Sequence, residues 1–314
     1  MTLVLEKRDH GGGLDAAMVQ FGGKRADWLD LSTGINPVPY PIPKFTHDAW
    51  TALPDSASFA LIVAQARSFW SIPKSAACIA TPGASATIAQ LPRIIAPGTV
   101  NIPGPTYNEH AAAFSAAGWQ SEATNADAMV AVHPNNPDGR LWTAPEINGT
   151  LRIIDESFAD VTPNQSLLSE ATKPGTVVLK SFGKFWGLAG LRLGFAIGDP
   201  EILAPLADAL GPWQVSGPAL QIGAEALADF QWADEARARL AKDAKRLDAL
   251  LENQGAITLG GTDLFRLYKV DDALAAQEHL AESHVWSRTF PYDNTWLRLG
   301  LPAPDRWDQL EAAF

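Results

Sequence analysis

The chain has 314 residues, 46% of them hydrophobic and 19% charged, and its 35 acidic and 24 basic side chains give a formal net charge of −11. This composition excludes a disordered chain, and the acidity disfavours nucleic acid and anionic lipid surfaces as partners. The one cysteine, Cys78, can form neither an internal disulfide nor a thiolate metal cage, and no apolar run approaches the roughly 20 residues of a membrane span. The first ten residues place an apolar stretch before charges, the wrong order for a signal peptide. The expectation is a cytoplasmic protein that handles small molecules. An anionic ligand would need positive charge gathered locally against the overall balance.

The N-terminal residues, up to about 39, are too irregular to stand alone. Ala77 to Thr81 is a short apolar run, followed by the turn former Pro82-Gly83 and an Ala-rich helical stretch through Ile95. Val100 to Ile102 leads through Pro103-Gly104-Pro105 to a helix over Glu109 to Ala117. Ala128 to Val132 ends in the turn-rich His133-Pro-Asn-Asn136-Pro-Asp-Gly139, Leu151 to Ile154 ends at Asp155, and Thr176 to Leu179 ends near Ser181. Apolar runs this short, bounded by Gly and Pro, read as strands buried on both faces. With helices between some of them, they predict an α/β fold with a mostly parallel sheet. Pro200 to Leu210 reads as the connection between domains. Long helices are expected over Leu220 to Asn253, their charges (Glu235, Arg237, Arg239, Lys242, Lys245 and Arg246) on a solvated face, and short α+β strands over 257–270 and 285–301. The domains are accordingly 40–205 for the larger, and 1–39 with 206–314 for the smaller.

In such a sheet, ligands bind at the carboxyl ends of the strands. Ser85, Asn136, Asp155, Ser181 and Lys184 all follow predicted strands. Lys184 lies in Ser181-Phe-Gly-Lys-Phe-Trp-Gly-Leu-Ala-Gly-Leu-Arg192, a Gly- and aromatic-rich stretch without an acidic residue. An apolar setting lowers a lysine pKa and frees the amine to condense with an aldehyde, and a nearby hydroxyl and guanidinium suit a phosphate. The first strand-turn-helix lacks Gly-x-Gly-x-x-Gly, which disfavours a dinucleotide-binding module. The six histidines show no metal-ligand spacing, so no metal site is expected.

The Lys184 segment resembles the pyridoxal-phosphate (PLP) lysine motif of fold-type I enzymes, in the branch around histidinol-phosphate aminotransferase and threonine-phosphate decarboxylase. The resemblance extends to Thr81-Pro-Gly83-Ala84-Ser85, to the Asn136 motif (with Asp138 where Thr is usual) and to Ile153-Ile-Asp155-Glu-Ser-Phe158, in the family's order. It implies a large PLP-binding domain with a smaller α+β domain, and a homodimer. Lys184 would carry PLP and move protons, Asp155 would face the pyridine nitrogen, and Asn136 the ring's phenolic oxygen. Gly83, Ala84, Ser85, Ser181 and Arg192 would hold the cofactor phosphate, and His110 would stack on the ring. Two positions depart from the family: Leu53 and Phe158 each stand where relatives carry tyrosine, the first of these being the one that reaches the partner's cofactor phosphate.

Asp9-His10-Gly11-Gly12-Gly13 and Gly34-Ile-Asn36-Pro37 resemble the opening of the cobalamin-pathway branch. With Arg288 and Arg298, the resemblance implies that His10, Gly11 and Asn36 bind a small phosphorylated amino acid. The implied reaction is decarboxylation of L-threonine O-3-phosphate to (R)-1-amino-2-propanol O-2-phosphate, and the alternative is transamination of the histidinol-phosphate type.

Overall fold

The computed structural model describes residues 8–314. The chain forms two compact units: Val38–Ala241, and the described residues up to Pro37 together with Lys242–Phe314.

The larger unit is built on a seven-stranded sheet. Its strands are β1 (Ala77–Thr81), β2 (Thr99–Asn101), β3 (Gln120–Ser121), β4 (Ala128–Val132), β5 (Leu151–Asp155), β6 (Thr176–Ser181) and β7 (Gly194–Gly198). Their order across the sheet is β1-β7-β6-β5-β4-β2-β3. All neighbours run parallel except β7, which is antiparallel to both β1 and β6. The central strands are continuous apolar runs because both faces are covered, and every residue of β4 and β7 is buried. The antiparallel β7 puts its own first residue at the edge where its neighbours end. Gly194 is thus the register partner of both Thr81 and Ser181.

Helices α1 (Ser56–Phe69), α2 (Ala84–Gln90), α3 (Asn108–Ala116), α4 (Pro200–Leu210) and α5 (Gly217–Ala228) belong to this unit. α1 and α5 pack face to face, and a Cβ on Gly223 would meet the Ile62 side chain at 2.7 Å. α2 is shorter than the sequence suggests: Pro92 cannot donate to a helical ladder, so the chain continues past Gln90 as a 3-10 turn, Leu91–Arg93. The expected interdomain connection, Pro200–Leu210, is a regular helix instead. Asp199 caps it by accepting from the Glu201 amide, and Pro200 occupies its first turn, where a missing N–H costs nothing.

The long helix α6 (Phe230–Asn253) crosses the unit boundary, which therefore falls at 241/242 and not at 205/206. Residues 206–241 join the larger unit because α5 buries Leu220, Ile222 and Leu227 within it. Arg237 also departs from a solvated face, donating to the Asp160 carbonyl at 2.8 Å and lying over the Phe69 and Phe185 rings.

In the smaller unit, strands β8 (Ile257–Thr262), β9 (Phe265–Lys269), β10 (Arg288–Phe290) and β11 (Asp293–Gly300) form an antiparallel sheet ordered β10-β11-β9-β8, with helix α7 (Ala273–Glu282) against it. Leu29–Asp30 pairs in parallel with Val285–Trp286. Among the described residues, no helix is long and apolar enough to cross a membrane.

Candidate active site

At the carboxyl edge of the large sheet lies a cavity of about 240 Å³. Val132 and Asp155 reach it from the ends of β4 and β5, and Ser181 from the end of β6; Ala84 and Ser85 come from the first turn of α2. Asn136, Lys184 and Arg192 enter from the loops that follow β4 and β6. Seven of the expected cofactor residues therefore share one cavity, though they span more than a hundred positions of sequence.

The turn after β1 is shaped by two glycines. Gly83 has φ +83°, and a Cβ there would lie 2.8 Å from Nη2 of Arg192. A Cβ on Gly194 would fall 2.6 Å from the Ala84 nitrogen and 2.8 Å from the Gly83 carbonyl carbon, so only glycine lets β7 approach this turn. Arg192 itself adopts φ +54°, and its Nη1 donates to the Ala189 carbonyl at 2.9 Å. Its Nη2 lies 3.4 Å from Ser85 Oγ. Gly83 brings no capping side chain, so the first-turn amides of α2 are left to a ligand or to water. An exposed guanidinium, two hydroxyls and these amides make this end of the cavity a cradle for an anion.

The opposite end is buried and carries a carboxylate. Asp155 is 2% exposed. Its Oδ2 meets His110 Nε2 at 2.8 Å, and its Oδ1 accepts from the Ser157 amide at 2.9 Å and from Ser157 Oγ. Burial is the largest single influence and pushes the carboxyl upward. The hydrogen bond and charge of His110, followed by the two bonds from Ser157, together outweigh it and hold Asp155 below the usual carboxylate range.

His110 does not occupy the place expected of it. It is 1% exposed, hydrogen-bonded to Asp155, and absent from the cavity wall. Tyr107, the extended residue that precedes α3, lines the cavity instead. The Tyr107 phenol is pushed up to about 12, by burial first and then by the charges of Glu109 and Asp155, so it stays protonated. Sequence alone carries two candidate rings in Pro105-Thr-Tyr107-Asn-Glu-His110; in the structure Tyr107 is the extended N-cap residue before α3, while His110 lies within the helix.

Lys184 projects from a loop clamped by its neighbours. Phe182, Phe185 and Trp186 are fully buried, and the Trp186 indole stacks between Phe182 (5.1 Å, 11°) and Trp232 (5.3 Å, 12°). The Gly187 amide closes back on the Lys184 carbonyl at 3.1 Å. Lys184 Nζ lies 5.0 Å from the centre of the Phe158 ring.

The Asn136 loop is equally fixed. Asn135 Nδ2 donates to the Pro105 carbonyl (3.0 Å) and to Asp138 Oδ1 (2.8 Å), which also accepts from the Arg140 amide (3.0 Å). Asp138 thus holds the turn as an acceptor, and Asn136 lies on the cavity wall.

Beneath the cavity, Lys180 forms a buried ion pair with Glu156 (2.7 Å) and Asp160 (3.2 Å) that the sequence reading did not anticipate. Trp70 and Trp186 also donate to Asp160. Burial alone would lower the Lys180 pKa, but the two carboxylates prevail and raise it. Strand alternation offered a signal: Glu156 and Lys180 each stand next to a cavity residue, Asp155 and Ser181 respectively.

The remaining expected residues lie in the smaller unit. Arg288 and Arg298 are direct cross-strand partners on β10 and β11. Arg298 is 5% exposed, and its Nη2 donates to the Ser32 carbonyl at 2.7 Å. Burial first and the Arg288 charge second lower its pKa to about 10. Arg288 is engaged by Asp9 and by the His10 carbonyl. His10 thus touches Arg288 through its backbone, while Gly11 packs against Ser32 and Asn36 is 2% exposed.

The mostly parallel sheet, with a lysine, a buried carboxylate and an anion cradle at its carboxyl edge, defines the fold-type I architecture of PLP-dependent transferases. The chain belongs to the class I and II aminotransferase family, whose model matches residues 120–313. It is 42% identical to the threonine-phosphate decarboxylase of Sinorhizobium sp, over 94% of this chain and 93% of that protein. It is 37% identical to the enzyme of the same name from Pseudomonas aeruginosa, over 98% and 97%. Among solved structures, the histidinol-phosphate aminotransferase of Sinorhizobium meliloti in complex with pyridoxal-5'-phosphate superposes with a TM-score of 0.83 at 18% identity, covering 96% of this chain and 93% of that one.

Proposed function

We propose that this protein is a PLP-dependent decarboxylase that releases carbon dioxide from L-threonine O-3-phosphate and forms (R)-1-amino-2-propanol O-2-phosphate, a step of cobalamin biosynthesis. The observation that carries the reading is whole-length identity, 42% and 37%, to two threonine-phosphate decarboxylases. Histidinol-phosphate aminotransferases match less of the chain, that of Mycobacterium bovis being 31% identical over 58% of it, and the solved structure at 18% identity speaks to fold and not to reaction.

The cavity suits PLP at each end. The Gly83 cradle that a Cβ would fill, with Ser85, Ser181 and Arg192, offers donors to a phosphate. Asp155 is kept ionised by His110 and Ser157 and would be the counter-charge to a protonated ring nitrogen. Asn136 would offer an amide donor to the phenolic oxygen, and the Tyr107 ring, on the cavity wall, would be the aromatic neighbour of the pyridine. When bound, PLP supplies an electron-withdrawing ring that stabilises the negative charge left on carbon as carbon dioxide departs. Lys184 Nζ would hold the cofactor and deliver a proton to that carbon. His110 acts through Asp155 and is a positioning residue.

Arg298 and Arg288 are cations of the smaller unit suited to the substrate's carboxylate and phosphate; the His10 carbonyl touches Arg288, Gly11 follows His10 in sequence, and Asn36 is buried in the same unit. Which of the bonds at the substrate carbon stands perpendicular to the ring depends on how these anions are anchored. That choice separates carbon dioxide loss from transamination.

A homodimer acting in the cytoplasm belongs to the same reading. The exposed apolar side chains of Trp50, Leu53 and Leu61 support self-association; Leu53 and Leu61 line a second cavity of about 290 Å³ in the larger unit. Sedimentation should give twice the chain mass, and a monomer would remove this part.

The deciding assay incubates the PLP-loaded protein with O-phospho-L-threonine, with and without 2-oxoglutarate. Stoichiometric carbon dioxide without glutamate is expected. Glutamate formed from histidinol phosphate, with no carbon dioxide from phosphothreonine, would establish the aminotransferase instead.

A further inference from the structure

The Arg288 guanidinium is held as a fork by Asp9: Nη1 lies 2.7 Å from Oδ1 and Nη2 2.5 Å from Oδ2. The Arg288 side chain is 13% exposed and that of Asp9 44%, so the pair is sheltered on the arginine side and open on the carboxylate side. The segment is pinned just behind the carboxylate. A Cβ on Gly11 would fall 2.4 Å from the Ser32 carbonyl oxygen, the Gly12 amide donates to Ser32 Oγ at 2.7 Å, and Trp286 Nε1 donates to the Gly12 carbonyl at 3.0 Å. Arg288 is freed when Asp9 and the His10 carbonyl move off it, with the pinned glycines staying in place.

A carboxylate in this fork makes the bidentate contact that an anionic ligand would make with Arg288. Because it is tethered a few residues from its anchor, it acts at an effective concentration no dilute monoanion can match. A phosphate group carries more charge, about −1.5 to −2 at pH 7, and three acceptor oxygens.

We propose that Asp9 is an intramolecular competitor for the substrate's phosphate at Arg288, so that binding of the phosphorylated substrate proceeds by displacement of the Asp9 carboxylate and Asp9 sets the apparent affinity. The inference rests on the reading that Arg288 meets the phosphate. Asp9 also answers the like charges of Arg288 and Arg298, which face one another across β10 and β11. A displacing phosphate takes over that duty, so the exchange leaves neither arginine without a counter-ion.

The test is calorimetric titration of the full-length PLP-loaded protein with inorganic phosphate, for the wild type, Asp9→Asn, Arg288→Gln and the double variant. Asp9→Asn should bind phosphate about two- to fivefold more tightly, the range of a partly exposed ion pair. Asp9→Ala should give the same gain, and the gain should vanish when Arg288 is Gln. An unchanged phosphate affinity in both Asp9 variants would overturn the proposal. So would a gain that persists without Arg288, since that would be repulsion at a distance and not displacement. With O-phospho-L-threonine, Asp9→Asn should lower KM and leave kcat unchanged. Absence of carbon dioxide from the wild type, alongside tighter phosphate binding by Asp9→Asn, would remove the decarboxylase reading and keep the displacement. Carbon dioxide release with no gain in phosphate affinity would do the reverse.

Discussion

His110 Nε2 stands 2.8 Å from Asp155 Oδ2, and both residues are almost fully buried. The contact joins the start of α3 to the end of β5 across 45 positions of sequence. It keeps a carboxylate ionised where burial alone would neutralise it.

His110→Phe removes that support and leaves Ser157 to oppose the burial. In the wild type the Asp155 pKa lies below its unfolded value, so the group's stabilising contribution is present above about pH 4 and is lost as pH falls through the folded pKa. In the variant burial is opposed by Ser157 alone, so the folded pKa rises. The ionised carboxyl then contributes less at neutral pH, a loss of about 3 kcal/mol. Urea midpoints between pH 4 and 7 should rise with pH less in the variant than in the wild type. PLP affinity at pH 7 should also weaken, and a parallel pair of stability profiles would refute the assignment.

Lys184→Ala should reduce turnover of O-phospho-L-threonine by at least about a thousandfold, because the group proposed to hold the cofactor and move the proton would be gone. The fold should survive, since Phe182, Phe185 and Trp186 anchor the loop. Circular dichroism and steady-state kinetics on the same preparation separate the two effects. Retained activity would show that another residue carries the chemistry.

Gly194→Ala tests the approach of β7 to the turn after β1. The added Cβ would press on the backbone of Ala84, Gly83 and Lys180 at 2.6, 2.8 and 3.0 Å, and none of these is a side chain that can swing away. Displacing the turn spoils the anion cradle, so PLP affinity should fall by tenfold or more, on the order of 1–3 kcal/mol, by spectrophotometric titration. Unaltered affinity would mean that the turn yields without disturbing Ser85 and Arg192.

Lys180→Met leaves Glu156 and Asp160 buried without their cation. The expected cost is about 3–5 kcal/mol of stability. The wild-type pair has the opposite pH sense to Asp155. The Lys180 pKa is raised above its unfolded value, so its contribution is complete below about pH 10 and is lost as pH rises through the folded pKa. Thermal melts should show a deficit at pH 7 that narrows in strongly alkaline buffer. A variant as stable as the wild type at pH 7 would show that the two carboxylates find other partners.

Much of the larger unit was legible in the chain. Ala128–Val132, Leu151–Asp155 and Thr176–Ser181 are short apolar runs punctuated by turn formers, and a strand buried on both faces has few other ways to be written. The motifs around Ser85, Asn136, Asp155 and Lys184 follow those runs, and a parallel sheet gathers such positions at one edge. Local chemistry therefore carried the order of the elements, the lysine and its carboxylate. Three-dimensional packing decided the rest. The extended N-cap residue Tyr107 falls on the cavity wall while His110, inside α3, bonds Asp155, and contacts between α1 and α5 drew residues 206–241 into the larger unit. The antiparallel β7 made Gly194 the point where three segments meet, and the pairing of Asp9 with Arg288 joined residues 279 positions apart. Such relationships depend on which distant surfaces are complementary, and no periodicity within a single segment records that.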